Sequence, residues 1–301
     1  MNTDSLLPPA PPGEFSLGTQ LSIVLPAKNE AASLHTLLPQ LKALYPAADI
    51  LVVDDGSTDD TRAVCAAHAV RCVVHAYTMG NGAAVKSGAR AALGEVICFM
   101  DADSQHAPAD IARLLAKLAT GYEMVVGARS RHCHASVGRR YANAFYNLFA
   151  SWMTGQKVDD LTSGFRVVRA SSFREFLYLL PNGFSYPTTS TMAFFRGGYQ
   201  VAYVPIQASR RVGKSHLKPL QDGLRFLLII FKVGTLFSPL KVFLPVSLGF
   251  FLLGAGYYGY TFVTEHRFTN MSALLFSNAI LIFLIGLVSE QVTTLLYRDR
   301  R

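Results

Sequence analysis

The sequence predicts an α/β domain on a mostly parallel sheet with helices on both faces, followed by an interfacial amphipathic helix and a two-helix transmembrane hairpin. Three observations lead there. Short apolar runs at Leu21–Leu25, Ile50–Val53, Arg71–Val74, Val96–Met100 and Met124–Gly127 alternate with stretches of helical periodicity, joined by short turns. Such alternation is the mark of a parallel sheet covered on both faces. Residues 217–237 then place Lys218, Asp222, Arg225 and Lys232 on one stripe of an otherwise apolar helical pattern, which suits a helix lying in a membrane interface. Val242–Val263 and Met271–Leu296 are each apolar and long enough to cross a hydrocarbon core of ~30 Å.

Composition narrows the class. Half of the 301 residues are hydrophobic and 16% are charged, apolar for a soluble protein, and the excess collects after residue 224. Charge is uneven as well: residues 1–122 carry a net −4, residues 123–240 a net +10 and residues 241–301 a net +2. An acidic part able to hold a cation precedes a basic part able to receive phosphate. A phosphorylated lipid at an anionic membrane fits that basic part better than nucleic acid does, because apolar segments follow it. Cys65, Cys72, Cys98 and Cys133 show no C-x-x-C spacing, so neither a zinc site nor a disulfide framework is indicated, and a reducing cytoplasm is expected. His132-Cys133-His134 places its donors on adjacent residues, a poor arrangement for converging on one ion.

Taken in order, residues 1–19 hold four prolines and no basic residue, and read as a flexible arm rather than a signal peptide. The first strand ends at Pro26, and Asn29-Glu30 open a helix with Leu34, Leu37, Leu38 and Leu41 on one face. The second strand runs into Asp54-Asp55-Gly56-Ser57-Thr58-Asp59-Asp60. Ser57 or Thr58 is expected to cap the next helix, with Asp59 and Asp60 in its first turn, whereas Asp54 and Asp55 come too early for capping to explain them. Gly80-Asn81-Gly82 lacks the third glycine of a dinucleotide fingerprint, since position 85 is valine. A helix from Pro108 to Ala119, a strand at Met124–Gly127, a helix bearing Phe145, Leu148, Phe149 and Trp152, and a strand at Val201–Val204 complete the domain.

The fourth strand carries the strongest chemical signal. It ends in Asp101-Ala102-Asp103-Ser104-Gln105-His106, two carboxylates one residue apart at a strand's carboxyl end, where open α/β sheets bind ligands. On an extended segment Asp103 and Gln105 share a side. Oxygen-only donors suit Mg²⁺ or Mn²⁺ with positions left for substrate phosphates; an Asx-rich turn after a strand is the plainer alternative. Farther on, Arg210-Arg211-Val212-Gly213-Lys214-Ser215-His216 gathers three cations around one glycine, suited to phosphate or simply to a solvated surface.

Seven blocks in order resemble the family 2 inverting glycosyltransferases, and among them the polyprenyl-phosphate sugar transferases. They are Pro26–Glu30, Val53–Asp59, Gly80–Gly82, Asp101–His106, Gly127–Arg129, Thr162-Ser163-Gly164-Phe165-Arg166 and Arg210–His216. The resemblance implies a GT-A fold over residues 20–216, with the nucleotide diphosphate sugar held by Pro26, Ala27, Lys28, Glu30, Asp54, Asp55, Asp101 and Ala102. It implies Mg²⁺ or Mn²⁺ on Asp101, Asp103 and Gln105, and an acceptor phosphate met by Arg129, Arg140, Arg166, Arg210, Lys214, Ser215 and His216. Asp103, Arg129, Arg140 and Arg210 are the residues expected to carry catalysis.

Three positions depart from the family pattern. Lys28 replaces an aromatic residue, His216 stands where relatives have lysine, and Gly183–Ser190 lacks the acidic residue of the mannose synthases. The expected activity is transfer of one sugar to a polyprenyl (undecaprenyl or dolichyl) phosphate at the cytoplasmic membrane, with no nucleic-acid partner and a possible homo-oligomer. Lys241 before the first span and Arg298, Arg300 and Arg301 after the second place both ends in the cytoplasm. Two rival readings remain: an alcohol acceptor with Asp159 or Asp160 as base, and a non-catalytic membrane scaffold.

Overall fold

The computed structural model describes residues 20–129, 137–183, 185–207, 231–232 and 234–298, with side chains of 137–143 and 296–298 outside the description. The arm over residues 1–19, the His132–His134 run, the Arg210–His216 loop and the expected 217–237 helix up to residue 230 therefore lie outside the described residues. The described residues fall into two compact units, 20–151 with 156–207 and 152–155 with 231–298.

The first unit is a seven-stranded sheet in the order β3-β2-β1-β4-β6-β5-β7. Its strands are β1 Leu21–Ala27, β2 Asp49–Asp54, β3 Arg71–Val74, β4 Val96–Phe99, β5 Met124–Arg129, β6 Arg166–Arg169 and β7 Val201–Ile206. The helices between them are α1 Ala31–Leu44, α2 Thr61–Ala67, α3 Asn81–Ala91, α4 Asp110–Leu118, α5 Val137–Thr154, α6 Ala170–Glu175 and α7 Tyr186–Arg196. β1 pairs in parallel with β2 and β4, β2 with β3, and β5 with β7. β6 runs antiparallel between β4 and β5. The expectation of a mostly parallel sheet holds.

Period-two alternation splits each strand between two layers. Ile23, Leu25, Val52, Val96 and Cys98 pack with Leu34, Leu38 and Leu41 of α1 and with Ile111, Leu114 and Leu118 of α4. On the other face Phe99 packs at a tilt against Phe173 of α6, which in turn meets Phe194 of α7. Helices thus cover both sides.

The structure extends the sequence reading in two places. Pro26 does not end β1; it is paired with Val53 inside the strand. Val24 accepts from Met100 across the β4 side, so alternation turns the position of Pro26's missing N–H to that same side, beyond the last β1–β4 pair at Val24–Phe99. A proline there forfeits no ladder bond. The other addition is β6, with α6 and α7, which no apolar run announces.

The second unit holds α8 Pro239–Glu265 and α9 Asn270–Arg298, with residues 231–232 and 234–237 also helical. Both helices are long and apolar enough to cross a membrane, and a four-residue connector makes them neighbours. Phe251 meets Phe276, and Ser247 Oγ donates to the Ala279 carbonyl at 2.8 Å. Most of their large apolar side chains, among them Leu252, Leu253, Val263, Ile285 and Val288, face outward, as lipid-facing residues do.

Candidate active site

Parallel strands β1, β2 and β4 present their carboxyl ends along one edge, and the loops that follow carry most of the expected site residues. In the first loop Lys28 is exposed, Pro26 and Glu30 are half-buried and Ala27 is buried. The loop is stitched to the one after β2. Asn29 N–H donates to Ser57 Oγ, Thr58 N–H to Asn29 Oδ1, and Asp55 N–H to the Ala27 carbonyl, all between 2.8 and 2.9 Å. Ser57 and Thr58 therefore hold this loop rather than cap α2. Asp59 serves the helix ends instead, accepting from Thr61 N–H at the start of α2 and from Ala31 N–H at the start of α1.

Asp54 corrects the sequence reading. It is 0% exposed; Oδ1 accepts from Ser57 N–H at 2.8 Å and Oδ2 from Arg62 Nε at 2.6 Å. It fixes the turn and is not presented to a nucleotide. Asp55 is nearly as buried. Its Oδ1 takes His75 Nδ1 and Met79 N–H, its Oδ2 takes Gly80 N–H, each at 2.8 Å, and His75 Nε2 continues to Ser87 Oγ at 2.9 Å. For both carboxylates burial raises the pKa, but the donors more than offset it and hold them below the ordinary value.

After β4 the chain is not extended. Ala102–Ser104 form a turn, Ser104 has φ 59°, and Asp103 Oδ1 accepts from Gln105 N–H at 3.2 Å. Side-chain alternation thus does not govern Asp103 and Gln105. Asp101, Asp103 and Gln105 remain half-buried and Ala102 is buried. Asp101 lies against Gly164: a Cβ there would stand 2.9 Å from Asp101 Oδ2 and 3.1 Å from the Tyr186 hydroxyl, so only glycine lets the Thr162–Arg166 segment approach this closely. Tyr186 donates to the Gly164 carbonyl at 3.1 Å; burial, and then Asp101, pushes its phenol up.

His106 is buried and stacked on Phe165, with ring centroids 4.9 Å apart. Burial pulls its pKa down to about 4 against the smaller opposing pull of Asp103, so it is neutral at pH 7. Among the described residues no three of His, Cys, Asp and Glu are grouped to hold a metal. Two carboxylates and the Gln105 amide on one loop supply oxygen donors only, a set that fits Mg²⁺ or Mn²⁺ completed by substrate phosphate.

The basic side is partly as expected. Arg129, ending β5, forks onto Asp160: Nε to Oδ2 at 2.8 Å and a terminal nitrogen to Oδ1 at 3.0 Å, with Thr162 Oγ1 at 2.6 Å. Its side chain keeps 28% exposure. Burial raises Asp160, yet Arg129 and the Arg129 and Thr162 N–H groups hold it below the ordinary carboxylate value. Arg166 does not reach an acceptor. It is 0% exposed and donates to the Pro187 carbonyl, Ser190 Oγ, Thr191 Oγ1 and the Ser163 carbonyl, so it ties β6 to the start of α7. Arg140 lies on α5 with its side chain outside the description; Arg210, Lys214, Ser215 and His216 lie outside the described residues. His75 and Tyr186 are structural members that the sequence reading had not placed around the site; Asp160 appeared there only as a candidate base, and Thr162 and Gly164 only as part of a family block. Neither His75 nor Tyr186 carried a signal in the sequence.

Comparison with known proteins accords with this geometry. The family model described as Glycosyl transferase family 2 matches residues 22–177, and that described as GtrB C-terminal hairpin matches residues 238–295. The chain is 34% identical over 184 residues to an undecaprenyl-phosphate 4-deoxy-4-formamido-L-arabinose transferase of Pseudomonas paraeruginosa, covering 55% of this chain and 54% of that one. It thus spans about half the length of that relative. An undecaprenyl-phosphate mannosyltransferase of Micrococcus luteus is 31% identical, covering 64% of this chain and 86% of its own. In fold it is similar to glucosyl-3-phosphoglycerate synthase from Mycobacterium tuberculosis, solved with Mn²⁺, UDP-glucose and phosphoglyceric acid: TM-score 0.58, 20% identity, 72% of this chain and 80% of that one. Matched across more than half of its length, with the sheet and loop geometry of a GT-A domain, the chain belongs to glycosyl transferase family 2.

Proposed function

We propose that this protein moves a single sugar from a nucleotide diphosphate sugar to a polyprenyl phosphate at the cytoplasmic face of a membrane. The observation that carries the reading is the pairing of a half-buried Asp101–Gln105 loop at the end of β4 with a hairpin of two membrane-length helices. The names of the curated relatives, undecaprenyl-phosphate sugar transferases, support the acceptor class.

Asp101, Asp103 and Gln105 would hold a divalent cation that neutralises charge on the departing diphosphate. Lys28 and the loops around Asp55 would bind the nucleotide. Arg129, oriented by its fork onto Asp160, would receive the acceptor phosphate together with Arg140, Arg210 and the Lys214-Ser215-His216 segment. The acceptor oxygen forms a bond to the anomeric carbon as the bond from that carbon to the diphosphate breaks, and the bonding pair leaves with the diphosphate. Direct displacement inverts the anomeric centre. A phosphate monoester has a second pKa near ~6, so the nucleophile is already largely ionised at neutral pH and no proton must be removed.

The alcohol-acceptor reading needs a carboxylate base, and the geometry disfavours it. Asp160 has both oxygens engaged by Arg129 and a lowered pKa, which makes it a weak base. Asp159 pairs with Lys157 at 3.0 Å. The positive residues flanking both spans support a cytoplasmic position for both ends of the hairpin, and self-association through the spans is a further part of the proposal. The test is transfer by the full chain in detergent with Mg²⁺, a short polyprenyl phosphate and a panel of UDP-, GDP- and dTDP-sugars. Product from one nucleotide sugar is the expected result; transfer to alcohols but never to the phosphate overturns the acceptor assignment.

A further inference from the structure

Across the loops that follow β1 to β4 (residues 26–30, 54–60, 75–80 and 100–105), Tyr77 is the only Phe, Tyr or Trp. Its side chain is 70% exposed. An exposed tyrosine is ordinary by itself; the backbone that carries this one is not. Asp55 accepts from Met79 and Gly80 N–H, two and three residues after Tyr77, and Thr78 Oγ1 donates to the Asp55 carbonyl at 3.1 Å. Gly56, at φ 72°, lies flush beneath: a Cβ there would stand 2.9 Å from both Tyr77 C and Thr78 N. The same 55–58 turn is gripped from its other side by Ala27 and Asn29. A large planar group is thus held outward on a fixed support, beside the turn that also anchors Lys28.

We infer that Tyr77 is the platform on which the base of the donor nucleotide stacks. This rests on the proposed use of a nucleotide diphosphate sugar. Position 28 is lysine, so the first loop brings a charge and no ring, and the flat hydrophobic face comes from the third loop instead. Every nucleobase has a π face, so the platform adds affinity without choosing the base, and the hydroxyl of Tyr77 is not required. Support fixed before binding limits the ordering cost.

The test is calorimetry on the full chain in detergent with UDP, GDP and dTDP, each with Mg²⁺, and with inorganic pyrophosphate as a ligand that lacks a base. For whichever nucleotide binds the wild type, Tyr77→Ala should weaken binding by about 5- to 100-fold, the range of one lost base–aromatic stack. Tyr77→Phe should stay within about threefold, and pyrophosphate should bind all three proteins alike. Undiminished nucleotide binding by Tyr77→Ala overturns the inference and leaves the donor reading standing. An equal loss for pyrophosphate overturns it too, because the ring would then act on the diphosphate or the fold. Failure of the wild type to bind any of the three nucleotides removes the donor reading itself.

Discussion

Two strands of this sheet end in a pair of aspartates, and the fold sets the pairs differently. After β2, Asp54 and Asp55 are buried and engage Arg62, His75 and the backbone N–H groups of Ser57, Met79 and Gly80. After β4, Asp101 and Asp103 stay half-buried at a turn whose residue Ser104 is in the left-handed region. A fully buried carboxylate surrounded by the protein's own donors shapes loops; one half-buried at the rim is open to a cation. The lesson is that an acidic motif at a strand end is not yet a ligand site. The donors that the fold brings to it decide.

The sharpest way to break this contrast is to remove one carboxylate from the rim. Asp103 is half-buried at a turn, where its Oδ1 accepts from Gln105 N–H, so Asp103→Ala should move the melting temperature by less than about 3 °C. Transfer should fall at least ~10³-fold, the scale of losing a key electrostatic group at a reacting centre. A radiolabelled-sugar assay beside a thermal melt reads both. Wild-type turnover in this variant would show that the rim carboxylate does no chemistry.

Asp160 lies between the two kinds, buried like the first pair yet joined to Arg129 on the acceptor side. Asp160→Asn keeps the shape but loses the charge that orients the guanidinium, and kcat should fall by about 10²-fold through misplacement of the acceptor. The pH profile separates positioning from base catalysis. Because the folded-state pKa of Asp160 is lowered, its stabilising contribution is complete above its unfolded value near ~4 and fades as pH falls through the lower folded value. Wild-type kcat should therefore show no limb from this carboxylate between pH 5 and 8 on the pH scale of ordinary assays. An acid limb there that Asp160→Asn abolishes would restore it as a base.

The mirror experiment belongs to the buried pair. Asp54→Ala should lower stability by about 1–3 kcal/mol. The lower part of that range is favoured because Arg62, 53% exposed, can turn to water. The effect on kcat at saturating donor should stay within about threefold. Urea unfolding and steady-state kinetics on the same preparation check the two halves.

How far the sequence carried this reading follows from where each signal resides. Apolar runs and period-two alternation reported β1 to β5 and β7, and two long apolar stretches reported α8 and α9, because burial in core or lipid is written into consecutive residues. β6 was not legible: Arg-Val-Val-Arg is four residues with a cation at each end. Nor was α7, whose Pro187 and run of threonines and serines argue weakly for any helix. Arg166 looked like a phosphate ligand within Thr162–Arg166 because its neutral acceptors, Ser190 and Thr191, are more than 20 residues away. Asp54 was not separable from Asp55 in the sequence: its partner Arg62 is only eight residues away, but only the fold turns that guanidinium onto it.

A last carboxylate sharpens the comparison in a different solvent. Glu290 sits within α9, and its Oε2 accepts from Leu240 N–H at 3.3 Å, in the first turn of α8. That N–H has no partner inside its own helix, and a carboxylate at a helix N-terminus is favoured by the dipole. Glu290 therefore resembles Asp54 more than Asp103: it completes backbone bonding at the start of a helix. Glu290→Gln preserves an acceptor oxygen and loses only the charge. Because the acceptor is kept, the expected cost is below about 0.6 kcal/mol, the average for a hydrogen bond between membrane helices, with kcat and donor KM unchanged. Glu290→Leu, which leaves Leu240 N–H without this acceptor, should cost more than the glutamine variant in a detergent-resistance or thermal-stability assay while still sparing kcat. If instead both variants lose transfer and keep stability, Glu290 belongs with the rim carboxylates, and burial within an apolar helix would not separate structural acids from chemical ones in this protein.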